Sequence, residues 1–375
     1  MINGPIRRVR VILPSSPIPN QAAFDAGLDW LRAEGVTLLV PAAPPPGPLP
    51  FLAGPDLGRA QELGGAFAVE DVDAVWCARG GSGAQRTLSA LDAVGAWAAR
   101  VEGARDETMP GPSVSGGALA GGALPGGATV GRVDDEPRRR APGHGSTTAR
   151  PSRFAQVRRA VPLVGLSDAT ALLLARLHDD RPGVAIHGPV ITQLTRLDAA
   201  SATALRAWLA DPTTLPVLRA SPARVHVAGR VEGTLVAGNL ALLASCCGTP
   251  EQPRLDGAVL LVEEIGEPAY RIDRMMAQLA RSGALHGLRG LALGSFEQCT
   301  PPDAAEACLA WWARRLDVPC LGGLPVGHGS ACWPVALGLR YLLAAEDGLL
   351  APLENVHAWL HRTAVAGDRR HGGAA

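Results

Sequence analysis

The chain has 375 residues, of which 47% are hydrophobic and 19% charged, and its 35 basic and 35 acidic residues give a formal charge of +0. That length predicts two domains sharing a cleft. The charge balance excludes the basic footprint that nucleic-acid binding needs to displace counterions, so no nucleic-acid partner is expected.

Val9–Leu13 is a β-branched run that ends in the loop Pro14-Ser15-Ser16-Pro17, and the helical pattern from Gln21 stops at Gly35. The same rhythm repeats through a strand at Val36–Val40, a proline loop, a helix at Leu57–Phe67, a strand at Ala74–Ala78 and a helix at Gln85–Ala99. Strands alternating with helices imply a parallel α/β sheet of the Rossmann-like kind. From Val101 to about Pro151 the chain is dense in Gly, Pro, Ser and Thr without aliphatic periodicity. Such a stretch buries too little apolar area to offset its ordering entropy, so a flexible insertion is expected, the alternative being a lid over substrate. The short run Arg138–Arg140 inside it reads as solvated.

Order resumes with a strand at Pro162–Leu166, the turn Ser167-Asp168 and a helix at Ala169–Leu177. A strand at Val184–Ile186 then leads to His187-Gly188-Pro189, and a helix at Ala200–Ala210 completes an N-terminal domain of residues 1–215. After Pro212, Pro216 and Pro222 the texture changes to short strands (Arg224–Val227, Val259–Val262, Leu291–Gly294) and two helices (Ile272–Arg281, Ala304–Leu316). The expected fold class is therefore α/β, with a smaller, β-rich α+β domain over 216–355, a tail over 356–375 and the active site between the domains.

Four features carry candidate chemistry. Ser167 lies at a strand-to-helix turn between Gly165 and Ala169, close to a nucleophile elbow, although a serine there equally suits a helix N-cap. Arg79-Gly80-Gly81-Ser82-Gly83 follows a strand and opens a helix, which aims backbone amides at a negative group. It lacks the Walker lysine, and the chain contains no lysine at all, so nucleotide binding is disfavoured. Glu263, Glu264 and Glu267 follow an apolar strand and face either a cleft or ion pairs with Arg271 and Arg274. His328 stands in the glycine turn Gly327-His328-Gly329, with His187 as its competitor. Without an HExxH or clustered His and Asp set, neither a metal nor an organic cofactor is expected. The seven cysteines lack paired CxxC spacing and read as reduced. Residues Met1–Arg10 carry no signal-peptide core and no run spans a membrane, so a cytoplasmic protein without a membrane partner is expected.

Taken in order, Pro14-Ser15-Ser16, Ala53-Gly54-Pro55-Asp56, Arg79–Gly83, Gly165–Leu172, His187-Gly188-Pro189, Gly238-Asn239-Leu240, Gly248-Thr249-Pro250, Val262-Glu263-Glu264, Tyr270–Arg274 and Gly327-His328 resemble the LD-carboxypeptidase family of serine peptidases. That family includes the muramoyltetrapeptide carboxypeptidases and the microcin C immunity peptidases. The resemblance implies Ser167 as nucleophile, His328 as base and Glu263 as its orienting acid, with the amides of Asp168 and Gly81 as oxyanion hole. It also implies a homodimer and a peptide or muropeptide substrate, the murein tetrapeptide that loses its terminal D-alanine. An aminoacyl-nucleotide amide, as in the immunity branch, is the alternative substrate, and a non-catalytic peptide-binding homologue is the alternative of another class. The chain departs from the family pattern at Ser82, where a tyrosine is usual, at Glu264, where an aspartate is usual, and in the insertion before the nucleophile strand.

Overall fold

The computed structural model describes residues 4–67, 72–93, 161–179 and 183–371, so the expected insertion and the Arg138–Arg140 run lie outside the described residues. Along the first half run β1 (Arg8–Ile12), α1 (Gln21–Ala33), β2 (Thr37–Leu39), α2 (Asp56–Ala66), β3 (Ala74–Cys77) and α3 (84–93). After the masked stretch come β4 (Leu163–Gly165), a 3-10 turn (Ser167–Ala169), α4 (Thr170–His178), β5 (Ala185–His187), a 3-10 helix (Ile191–Arg196) and α5 (Ala199–Ala210).

The strands of this half form one sheet, β1 to β5 mutually parallel, and a strand from much later in the chain, β12 (Val335–Ala336), joins its edge to give the order β12-β5-β4-β3-β1-β2. Val9, Val11, Val75, Trp76, Leu163, Val164 and Ile186 are wholly buried in it. Both faces are covered, and its strands accordingly read as unbroken apolar runs rather than alternating ones. The chain order reverses between β1 and β3, and in open α/β sheets ligands bind beyond the carboxyl ends of the strands at such a switch. α1 starts where the Asn20 side chain accepts the Ala23 amide at 3.0 Å, and it buries Phe24, Leu28 and Leu31 on one stripe.

The second half contains β6 (Leu218–Arg219), β7 (Arg224–Val227), β8 (Arg230–Asn239), α6 (Leu240–Ser245), β9 (Ala258–Ile265), α7 (Ala269–Arg281), β10 (Gly290–Glu297), α8 (Ala304–Leu316) and β11 (Cys320–Gly322). It continues with β12 (Val335–Ala336), β13 (Arg340–Ala344), β14 (Leu349–Pro352) and α9 (Val356–His371). Its sheet has the order β6-β14-β13-β8-β9-β10-β11-β7, and β8, β9, β10 and β11 run parallel with a helix in each crossover. The short-strand reading of this half understates it: β8 is ten residues long and β9 eight.

β12 pairs antiparallel with β5, Val335 opposite His187. The chain therefore leaves the second sheet after β11, adds a strand to the first, and returns at β13. All seven cysteines are free, five of them buried. Among the described residues no helix is long and apolar enough to cross a membrane.

Candidate active site

The loops that follow β1 and β3 meet at the switch point. Ser82 N–H donates to Ser16 Oγ at 2.9 Å, and Ser16 N–H donates to Gly80 O at 3.4 Å. Arg59, buried on α2, ties the two together by donating from Nη1 to Pro14 O (2.8 Å), Gly83 O (2.8 Å) and Thr87 Oγ1 (2.7 Å). Its other terminal nitrogen pairs with Asp56, which also holds Arg86 at 2.6 Å. Gly83 is glycine for a steric reason: φ is +124° and a Cβ there would sit 2.5 Å from Arg59 Nη1.

Ser167 follows β4 with φ at +64°, a left-handed conformation that a non-glycine residue adopts at a cost of about 1–3 kcal/mol. Neither the 3-10 turn nor α4 has a side-chain cap bond, so Ser167 does not act as an N-cap. The turn is tight because its neighbours are small. A Cβ on Gly165 would come 2.5 Å from Ala169 Cβ, and one on Gly80 would come 2.6 Å from Ser167 Cβ and 3.0 Å from its Oγ. The Gly80 backbone thus lies against the serine, and the loop carrying Gly81 is held beside the elbow.

Asp168 strengthens that junction. Its buried carboxylate accepts the Ala84 amide at 2.8 Å, capping α3. Burial raises its pKa above the usual carboxylate range, against the pull of the Ala84 amide and the Arg59 and Arg79 charges.

The third component comes from the second sheet. Glu263, near the end of β9, is wholly buried, and its Oε2 accepts the Nδ1 proton of His328 at 2.6 Å. This bond fixes the tautomer and leaves Nε2 free to accept a proton. Burial by itself pushes the imidazole pKa down, but the Glu263 bond and charge, with Glu264 adding to them, outweigh it and hold His328 above its ordinary value. Gly327, at φ +137°, is required here, because a Cβ would come 2.4 Å from Ser295 Oγ and 3.2 Å from Glu263 Oε2.

The other carboxylates of the cluster separate. Glu264 pairs with no arginine; it accepts from Asn239 Nδ2 (2.6 Å) and the Ala241 amide (2.8 Å), which seats α6 on β8. Glu267 makes the expected ion pair with Arg271, at 2.7 Å. His187 is buried within β5 and neither ring nitrogen has a hydrogen bond, so burial drops its pKa to about 4. It feels the charges of both Glu263 and His328, and Gly165 pairs with it across β4 and β5. The strand that leads to Ser167 and the His328–Glu263 pair therefore meet around His187. Among the described residues the hydrogen bond of the His328 ring is to Glu263 and none joins it to Ser167; contacts between a nucleophile and its base are often long outside the substrate complex and tighten within it. Among the described residues no group of His, Cys, Asp and Glu could hold a metal ion. The roles of Arg59 and Gln193, which hold the loops in place, are absent from the sequence reading.

Two family profiles cover this arrangement: the LD-carboxypeptidase N-terminal domain matches residues 9–100 and the LD-carboxypeptidase C-terminal domain matches residues 232–343. The chain belongs to the LD-carboxypeptidase family. A Streptomyces coelicolor protein provisionally named a carboxypeptidase is 33% identical over 92% of this chain and 93% of its own length. The murein tetrapeptide carboxypeptidase of Pseudomonas aeruginosa is 30% identical over 74% of each chain. Among solved structures, the muramoyltetrapeptide carboxypeptidase from Oxalobacter formigenes superposes with a TM-score of 0.64 at 24% identity, covering 92% of this chain and 97% of that one. The microcin C7 self-immunity protein reaches 0.67 at 15% identity, covering 94% and 98%. At those identities the likeness concerns the fold. An LD-carboxypeptidase is a serine-type peptidase, and the family assignment makes this chain an enzyme of that kind.

Proposed function

We propose that this LD-carboxypeptidase removes the terminal D-alanine from a murein tetrapeptide in the cytoplasm, working as a homodimer, with Ser167 as nucleophile, His328 as base and Glu263 as the acid behind it. The observation that carries the reading is the buried 2.6 Å bond from His328 Nδ1 to Glu263, which leaves Nε2 free to take a proton; the strained, glycine-flanked elbow at Ser167 supports it. The similarity to the Pseudomonas aeruginosa murein tetrapeptide carboxypeptidase supports the substrate class.

In this mechanism Ser167 Oγ attacks the carbonyl between meso-diaminopimelate and D-alanine as His328 Nε2 takes its proton. The buried Glu263 carboxylate stabilises the imidazolium. The amides of Asp168, in the first turn after the elbow, and of Gly81 receive the oxyanion, and a donor of this kind contributes roughly 2.7–4 kcal/mol to the transition state. His328 then protonates the leaving amine, and a water activated by the same ring releases the acyl group from Ser167.

The test incubates purified protein with a murein tetrapeptide and, separately, with an aminoacyl-nucleotide amide, and weighs the products. D-alanine release by the wild type, lost by at least about 10³-fold in Ser167→Ala and in His328→Ala, is the expected result. Turnover of the nucleotide conjugate alone would move the chain to the immunity type of substrate. Binding of peptide without turnover would make it a non-catalytic homologue.

A further inference from the structure

Gln193 lies in the 3-10 helix Ile191–Arg196 and is 1% exposed. Its Nε2 donates one proton to Gly327 O and the other to Gly329 O, each at 3.0 Å. These are the two carbonyls on either side of His328. The side chain therefore grips the turn at both shoulders of the imidazole, from an element of the first sheet's half of the molecule.

The helix that carries Gln193 is itself fixed. Thr192 N–H donates to Ala78 O at 3.1 Å, at the end of β3 where the Arg79–Gly83 loop begins. On its other side the α1 backbone approaches so closely that a Cβ on Gly27 would lie 2.1 Å from Ile191 O. Two bonds farther along extend the same junction: Asp198 N–H donates to Ser330 O at 3.0 Å, and Cys332 N–H donates to the buried Ser201 Oγ at 3.1 Å. One short rigid element thus touches the strand end beneath the glycine loop and the turn that bears the base.

A residue that only fills space here would be apolar, since burying an amide costs free energy unless its groups are paired. Gln193 Oε1 has no partner, so it is the two N–H groups that the site uses. A carboxylate offers no such donors, and a leucine offers none.

We infer that Gln193 is a positioning residue, whose amide sets the His328 turn against the nucleophile's half of the molecule so that the imidazole meets Ser167 in productive geometry. This rests on the catalytic roles proposed above for Ser167 and His328, and extends them to a residue that touches neither substrate nor reacting atoms. Misplacement of a catalytic group by about 1 Å can cost roughly 10²-fold in rate.

The experiment measures D-alanine release from murein tetrapeptide by Gln193→Leu and the isosteric Gln193→Glu, with melting curves and the pH profile of kcat/KM. The expected result is a kcat lower by about 10- to 100-fold, KM within about threefold of wild type, a cooperative melt, and an acid-limb midpoint displaced from the wild-type value as His328 loosens from Glu263. An unchanged kcat, a rise in KM alone, an unmoved acid limb, or failure of both variants to fold would each overturn the inference. Ser167→Ala and His328→Ala are assayed in parallel. Activity surviving in either defeats the catalytic assignment itself, whereas inactivity in both beside full activity in the Gln193 variants defeats only the positioning role.

Discussion

At the residue scale, the proposed mechanism turns on the pair His328 and Glu263. Because His328 titrates above its ordinary value, its neutral, proton-accepting form appears only at higher pH, and kcat/KM should rise with pH through a midpoint above the ordinary ~6.5. In Glu263→Gln the carboxylate charge is gone, so that midpoint should move down. The imidazolium formed during attack also loses its counter-charge, and kcat should fall by roughly 10²- to 10⁴-fold. A pH series of initial rates on both proteins checks the two effects together; an unmoved midpoint would refute the assignment of the acid limb to His328. These residues were legible because they stand in short ordered motifs that resemble a family. Gln193 was not, because ITQLTR looks like an ordinary amphipathic turn and its role depends on partners at Gly327 and Gly329, far away in the chain. The role of Arg59 stayed hidden for the same reason: nothing local reveals that its guanidinium is buried between two loops.

At the element scale, the loop after β3 and the turn after β4 behave as one unit. Gly80→Ala would force a methyl to 2.6 Å from Ser167 Cβ, so kcat should drop by about 10²-fold with a modest loss of stability. Gly58→Ala is the control: it lies in α2 with open space around the new methyl, and should leave kcat unchanged and stabilise by about 0.5–1 kcal/mol. Arg59→Met removes the guanidinium that donates to Pro14 O, Gly83 O and Thr87 Oγ1, leaving Thr87 Oγ1 as the side-chain donor to the two carbonyls, and should cost roughly 2–4 kcal/mol in urea denaturation. Strand and helix patterning placed β1 to β5 and their helices to within a residue or two, except that the end expected at Ala99 for the helix from Gln85 lies outside the described residues. β8 escaped because Gly233 and Gly238 resemble turn signals. In the folded chain they are sites of close approach instead, where a Cβ would come 2.7 Å from Gly257 O and 2.4 Å from Thr170 Cγ2. β11 and β12 are three and two residues long, too short for any periodicity to register.

At the scale of the whole molecule, His187 links the site to acid stability. Its folded pKa is about 4 against 6.5 for the free side chain, so the unfolded chain binds the extra proton. The resulting destabilisation is absent above pH 6.5, grows as pH falls, and levels off below about 4 at roughly 3 kcal/mol. Urea denaturation at several pH values in this window should give His187→Gln a shallower pH dependence than wild type, by about one proton; equal slopes would contradict it. Two layered sheets were foreseeable from the order of strands and helices, but the return of the chain to the first sheet was not, because nothing in Pro334-Val335-Ala336 announces a strand. That excursion has a kinetic meaning. His328, the proposed base, rides on a span stitched at one end into β10 through β11 and at the other into β5, where Leu337 N–H also donates to Ala185 O at 2.9 Å. With His328 in the proposed role, an opening of β12 would release one end of that span, so deuterium uptake at the amide of Leu337 should speed up in variants whose turnover is lost through a loosened His328 turn.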